Sequence, residues 1–342
     1  MMKDESGRMK DDHHAARLAS AFRFHPSSFI MKVLIPATTA NLGPGFDCLG
    51  MALALYQDLQ LEEIPRGLEV AIDGEGATEL ARDAGNLVLS AAQRVFERAG
   101  YQPPGLRLRS INRIPLMGGL GSSSAAIVGG LVAANELVAD QLPDRRLTHS
   151  QLLDLAIKIE GHPDNVAPAL LGGLVIVAAD DHGPIVERVS VADLTVVVIN
   201  PDLRVATKMA RRMLPTHIPR ADAIFNAGRV ALVTLALARG DLDLLGRAMD
   251  DRLHQPLRKY LIIGYDAVLA AAKSAGAAAI AISGSGPSLI AFAADRHAEI
   301  AAAMTQAFAA NHIAARTWIL KVDRAGARVE RDEGSGMSRA GE

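Results

Sequence analysis

Residues 115–126, PLMGGLGSSSAA, constrain this chain more than any other stretch. They follow an amphipathic strand pattern, LRLRSINRI at 106–114, in which leucines alternate with arginines and which Pro115 ends. They lead into an alanine-rich helical pattern over 122–139. A strand, a glycine turn and a helix in that order leave the first helical amides without intrahelical partners, at the positive end of the macrodipole. An anion is stabilised there, and glycine lets it approach the backbone. Serine hydroxyls can cap the helix, bond phosphate oxygens or ligate a metal. The stretch carries no lysine, so it is not Gly-x-x-x-x-Gly-Lys-[Ser/Thr], and it is not Gly-x-Gly-x-x-Gly. A Gly/Ser turn that merely caps the helix is the plain alternative.

The chain has 342 residues, which suits one large or two medium domains. Apolar residues make up 49% and charged residues 22%, enough to build a packed core. A net charge of −2 argues against nucleic acid or an anionic membrane surface as a partner. One cysteine, Cys48 in FDCLGMAL, excludes an internal disulfide and a cysteine metal cluster, and points to a reducing cytosol with a buried structural thiol. No apolar run reaches the roughly 18 residues that span a bilayer. The ten histidines form no HExxH pattern. Residues 1–30 lack a secretory h-region and read as a disordered extension or an upstream start; 326–342 read as a frayed polar tail.

Between those ends the pattern interleaves strands and helices. Strands are expected at 31–35, 52–64, 68–73, 106–114, 172–179 and 194–200, in a hairpin of 276–283 with 288–294, and at 317–323. Helices are expected at 86–99, 122–139, 147–160, 203–214, 221–238, 241–253, 263–275 and 295–311. Segments 52–64 and 68–73 also read as a hairpin, which favours α+β over a regular doubly wound sheet. The pattern breaks near 180–190, giving domains 31–185 and 186–325. Gly129 and Gly130 inside the 122–139 helix suggest close packing.

PLMGGLGSSSAA resembles the phosphate loop of the GHMP kinases, Pro-x-x-x-Gly-Leu-Gly-Ser-Ser-x-Ala, and matches it at every fixed position. PATTANLGPGFDCLGMAL at 36–53 is similar to the N-terminal motif of that superfamily in the form homoserine kinases carry, and SGSGPSLIAF at 283–292 to its C-terminal glycine motif. Three such blocks in this order, across about 250 residues, are specific. The resemblance implies a two-domain α+β fold: an N-terminal ribosomal-protein-S5-like domain that binds ATP and a C-terminal ferredoxin-like domain. It implies transfer of the γ-phosphoryl of ATP to the side-chain hydroxyl of L-homoserine in threonine biosynthesis, with Mg²⁺, in the cytoplasm, with neither nucleic acid nor membrane as partner and with a homodimer as the expected assembly.

The same resemblance distributes roles. Pro115, Leu116, Met117, Gly118, Gly119, Leu120, Gly121, Ser122, Ser123 and Ser124 would hold ATP. Ser123 and Glu160 would hold the metal, with Asp154 as an alternative carboxylate because the spacing to His162 is short. Asn41 and Asp47 would fix the amino group and hydroxyl of homoserine; a tight turn bonding its own backbone is the rival reading. His162 would touch the same substrate. Thr207 and Arg211, four apart on one helix face, and Arg258, in an apparent loop, would take its carboxylate. Asp164, Asn165 and Arg211 form the catalytic set, Asp164 and Asn165 lying where a general base would be sought. Asn86 suits either an adenine contact or a helix N-cap. The 283–288 turn would steady the phosphate loop. A mevalonate-type acceptor is the rival within the superfamily; a non-catalytic nucleotide sensor would be expected to lack the serine–glutamate metal pair.

Overall fold

A computed structural model describes residues 31–331; the expectations for 1–30 and 332–342 lie outside it. The chain opens with β1 (Met31–Ala40), β2 (Leu49–Glu63) and β3 (Gly67–Gly74), then α1 (Leu87–Ala99) and β4 (Gly105–Asn112). Next come α2 (Ser122–Gln141), α3 (His149–Glu160), α4 (Pro163–Leu171), β5 (Leu174–Asp180) and β6 (Gly183–Val189). The second half holds β7 (Thr195–Pro201), α5 (Thr207–Arg212), α6 (Arg220–Arg239), α7 (Leu242–Ala248), α8 (Gln255–Arg258) and α9 (Tyr265–Ala275). It ends with β8 (Ala279–Ile282), β9 (Leu289–Phe292), α10 (His297–Ala309), β10 (Ala315–Lys321) and β11 (Arg328–Arg331).

Local chemistry explains the clearest elements. In α1, Val88, Ala91, Ala92, Val95, Phe96 and Ala99 recur at helical spacing and are buried. Asn86 caps its start, and Gly100 ends it in the left-handed region at φ 62°. Helix α2 lies against α1, β1 and β2, and its glycines make that approach possible. A Cβ at Gly129 would sit 2.8 Å from Ile35 Cδ1, and one at Gly130 would strike the Val88 carbonyl. The interior of the first half is built from buried side chains such as Ile35, Leu59, Phe96, Leu108 and Leu131. Each such burial is worth roughly 1.5–3 kcal/mol.

The first sheet has seven strands, with β11-β1-β2-β4-β3 as its path and β5 and β6 continuing from β2. The expected hairpin of 52–64 with 68–73 does not form. β4 lies between β2 and β3, and β3 runs parallel to β4 through the α1 crossover. Parallel pairing needs such a crossover, and the link through α1 supplies it. The second sheet has the order β10-β7-β9-β8, all antiparallel, with α9 and α10 interleaved. That is the β-α-β-β-α-β arrangement of a ferredoxin-like unit, with α5–α8 inserted after β7.

Several details differ from the sequence pattern. β1 runs to Ala40, so most of PATTANLG is strand rather than loop. The 185/186 division falls inside β6, which pairs with β5 as far as Val189. Residues 328–331 are not frayed but form β11, beside β1. Finally, α2 and α6 are long and apolar enough by composition to cross a bilayer, although neither is an unbroken apolar run. α2 is mostly buried in the core, whereas α6 is mostly exposed. Helices 203–214 and 241–253 shorten to α5 and α7, since Pro215 and the 250–254 turn interrupt them.

Candidate active site

The glycine loop and the N-terminus of α2 form one wall of a cavity of about 550 Å³. Gly119 and Gly121 adopt φ of 75° and 72°, a region that disfavours other residues. A Cβ at Gly121 would strike Thr38 Oγ1, and one at Gly119 would meet the carbonyls of Ser283 and Gly286. The loop carbonyls are bonded away from the cavity. Leu120 O accepts from Thr38 N at 3.1 Å, Gly119 O from Ser283 Oγ at 2.7 Å and Gly118 O from Ser288 N at 3.1 Å. The first intrahelical bond is Ala125 N to Gly121 O, so the amides of Ser122, Ser123 and Ser124 have no partner within the helix. This is an anion cradle, held from behind by β1 and by the 283–288 turn. Pro115, Leu116, Met117 and Gly118 line the cavity beside it. Leu120 does not: it is 1% exposed, and its side chain belongs to the core.

Glu160, the last residue of α3, accepts hydrogen bonds through Oε1 from Ser123 Oγ at 2.8 Å and Ser124 Oγ at 3.1 Å. Both serines line the cavity, Ser123 exposed and Ser124 buried. Ser123 and Glu160 thus offer two hard oxygen donors next to the anion cradle, a set that fits Mg²⁺, which takes few protein ligands and fills its shell with water and phosphate. Asp154 is exposed on α3 and is not among the cavity-lining residues. Among the described residues there is no cluster of three or more His, Cys, Asp or Glu suited to a metal.

In the same cavity, charged groups from both halves of the chain converge. Asp47 has φ 57° and forms a bidentate ion pair with Arg211, at 2.7 and 2.8 Å. The pair is partly exposed to the cavity. Arg258 is 2% exposed and sits on α8, not in a surface loop. Its Nη1 donates to Gly284 O at 3.1 Å. Burial, and then the neighbouring Arg211, lower its pKa to about 10, so it stays cationic at neutral pH. The Phe46 ring lies 5.5 Å from the Arg211 guanidinium and 5.1 Å from that of Arg258, close enough for cation–π attraction to both. The Nε atoms of both arginines are buried without a partner. Thr207 lines the same cavity, 3.3 Å from Ser285 Oγ.

His162 is the N-cap residue of α4 and lines the cavity. Asp164 follows in the first turn, 4% exposed. Its pKa is pushed up to about 7, first by burial and next by the charge of Asp47. Asn165 is held by Thr38, whose hydroxyl donates to its Oδ1 at 2.7 Å. A neutral amide cannot take a proton at pH 7, so Asn165 can orient a reactant but not act as base. Cys48 is half-buried, and burial lifts its pKa to about 11, which suits an inert thiol.

Asn41 and Asn86 both line the cavity and also carry structural hydrogen bonds. Asn41 Nδ2 donates to Gly284 O at 2.7 Å, and its Oδ1 accepts from Asp47 N at 3.0 Å. It therefore ties the 41–47 turn to the 283–288 turn while lining the cavity. Asn86 Oδ1 accepts from Val88 N at 3.0 Å, the cap geometry, and its Nδ2 donates to Ala81 O at 2.7 Å. Ile72, Leu80, Ala81 and Leu108 give the cavity an apolar lining.

Sequence reasoning missed Thr38, Phe46, His254 and the chain Gln57–Ser110–Asn112. In that chain Gln57 Nε2 donates to Ser110 Oγ at 3.1 Å, and Ser110 Oγ donates to Asn112 Oδ1 at 2.6 Å. The signal for the last three was present: polar residues at inward positions of otherwise apolar strands.

Comparison with known proteins agrees with this geometry. The family models for the GHMP kinases N-terminal domain and the GHMP kinases C-terminal domain match residues 86–173 and 234–310. The chain is 47% identical to a homoserine kinase of Moorella thermoacetica, over 81% of this chain and 92% of the relative. It is 44% identical to a homoserine kinase of a Synechococcus species, over 88% and 98%. A crystal structure of homoserine kinase from Cytophaga hutchinsonii superposes with a TM-score of 0.80 at 33% identity, covering 90% of this chain and all of that one.

Proposed function

The chain belongs to the GHMP kinases, and on that premise we propose that it transfers the γ-phosphoryl group of ATP to the side-chain hydroxyl of L-homoserine, giving O-phospho-L-homoserine and ADP. The observation that carries this is one cavity lined by two chemically distinct groups. One is a set of free amides at a helix N-terminus; the other sets one carboxylate, Asp47, against two guanidiniums, Arg211 and Arg258. That arrangement complements a zwitterion. The substrate's ammonium replaces Arg211 as a partner of Asp47, and its carboxylate takes the donors of Arg211 and Arg258. A mevalonate-type acceptor has a carboxylate but no ammonium, and would leave Asp47 facing the buried Asp164 without a new cation.

Phosphoryl transfer depends on positioning and charge neutralisation. The amides of Ser122, Ser123 and Ser124 would take the phosphate charge in a wall fixed before ATP arrives. Ser123 and Glu160 would hold Mg²⁺, which when bound neutralises the triphosphate and polarises its bridging oxygens. The 283–288 turn clamps both the phosphate loop and, through Gly284, Asn41 and Arg258, so donor and acceptor groups share one support. The homoserine oxygen forms its bond to the γ-phosphorus as the bond to the β-bridging oxygen breaks. Asp164, with a pKa near neutrality, takes the hydroxyl proton; the competing acceptor is a γ-phosphate oxygen.

ADP release from ATP with L-homoserine, mevalonate or shikimate as separate acceptors tests the reading. Homoserine-dependent turnover, with phosphohomoserine as product, is expected. No turnover with homoserine, or a preference for mevalonate, would overturn it.

A further inference from the structure

His254 has no exposed surface and lies outside the residues that line the cavity. Its Nε2 is 2.8 Å from the carbonyl oxygen of Gly43. A carbonyl only accepts, so Nε2 carries the proton and Nδ1 is left with a lone pair. Arg258 Nη1 lies 3.3 Å from that Nδ1 and donates to it, while its second proton serves Gly284 O at 3.1 Å. Both protons of Nη1 are therefore committed. Nε is buried without a partner. Arg258 still lines the cavity, so a carboxylate there meets a guanidinium whose Nη1 is already fixed.

The imidazole is itself rigidly placed. Asp251 accepts from the amides of Leu253, His254 and Gln255 and from Asn226 Nδ2, which fixes the turn that presents the ring. Asn226 also donates to Pro44 O. The Phe46 ring is tilted against the imidazole at 5.3 Å between centroids. One side chain thus reads the backbone of the 41–47 turn with one nitrogen and the guanidinium of Arg258 with the other. Burial keeps it neutral, lowering its pKa to about 4; a charged ring would face the Arg258 cation and could not accept from it.

We propose that His254, held as the neutral Nε2–H tautomer by Gly43, is the positioning residue that orients the Arg258 guanidinium toward the substrate carboxylate and sets its distance from Asp47. The inference rests on homoserine as acceptor. Two substitutions separate the two nitrogens. His254→Gln places an amide where Nε2 was and keeps the tie to Gly43, but removes the acceptor for Arg258. His254→Asn places its oxygen near Nδ1 and keeps that acceptor. The probe is the ratio of kcat/KM for L-homoserine to that for 3-aminopropan-1-ol, which has the same hydroxyl and amine but no carboxylate.

His254→Gln is expected to raise KM for homoserine about tenfold or more, the scale of a lost hydrogen bond to a charged group, with kcat and KM for ATP nearly unchanged. The homoserine/aminopropanol ratio then falls by the same factor, His254→Asn retains most of it, and on an Arg258→Gln background His254→Gln adds nothing. An unchanged ratio in both variants, or equal losses for both substrates and for ATP, would overturn the proposal. If the unsubstituted enzyme fails to use homoserine, it is the parent reading that falls.

Discussion

Replacing Asp164 by Asn separates two consequences of its burial. In the folded chain its pKa is raised from 3.8 to about 7, by burial first and by Asp47 second. The folded state therefore binds the proton more tightly than the unfolded state does. Its contribution to stability is fully present below about pH 3.8, falls as pH rises toward 7, and is lost above that. At 1.36 kcal/mol per pH unit, the gap between 3.8 and about 7 corresponds to about 4 kcal/mol. Asn cannot ionise, so the variant escapes this loss. Thermal midpoints of both proteins between pH 4.5 and 8.5, without nucleotide, should show the variant gaining steadily on the parent up to about pH 7 and then running parallel to it. At pH 8.5, where the parent's Asp164 is ionised, kcat at saturating ATP and homoserine should be about a hundredfold or more lower in the variant, the scale of a lost general base, and the gap should close as pH falls below 7. A stability difference independent of pH would refute the burial argument. A kcat loss under tenfold would show that Asp164 is not the base and leave the γ-phosphate as the proton acceptor.

Three other outcomes follow from the same geometry. Gly121→Ala drives a Cβ onto Thr38 at φ 72°, so it should cost about 1–3 kcal/mol and raise KM for ATP; an unchanged melting temperature and KM would contradict the loop geometry. Glu160→Gln should shift the Mg²⁺ activation curve about tenfold or more to higher concentration, with Asp154→Asn nearly silent; a reversal between the two would move the metal carboxylate to Asp154. Asn86→Ala should lower stability by about 1 kcal/mol. It should leave KM for ATP nearly unchanged if the cap to α1 and the bond to Ala81 are the whole role of the Asn86 amide; a tenfold rise in KM would show that its remaining donor and acceptor meet the adenine.

What was legible in the sequence was what local chemistry dictates. The glycine loop could be placed because Pro115 stops a strand, three glycines allow close approach and serines open a helix, all within twelve residues. α1 was readable because its apolar spacing, its asparagine cap and Gly100 agree. The β2–β3 hairpin was misread because alternation reports that a strand forms but not which neighbour it pairs with; α1 carries the chain back so that β4 inserts between them. Arg258 looked like a loop residue because a single helical turn has no periodicity to detect.

By itself, then, the sequence determined most of the elements, the strand–glycine loop–helix unit and the residue types that line the cavity, since each follows from interactions a few positions apart. Only the tertiary structure decided how those types combine. Asp47 meets Arg211 across 164 positions, Thr38 meets Asn165 across 127, and Asn41 meets Gly284 across 243. No local pattern encodes such pairings. They arise when two sheets, each burying its own apolar face, bring the 41–47 turn, the phosphate loop and the 283–288 turn together. The same closure buries Asp164, Arg258 and His254, and that burial shifts their pKa values and makes a neutral imidazole available to an arginine.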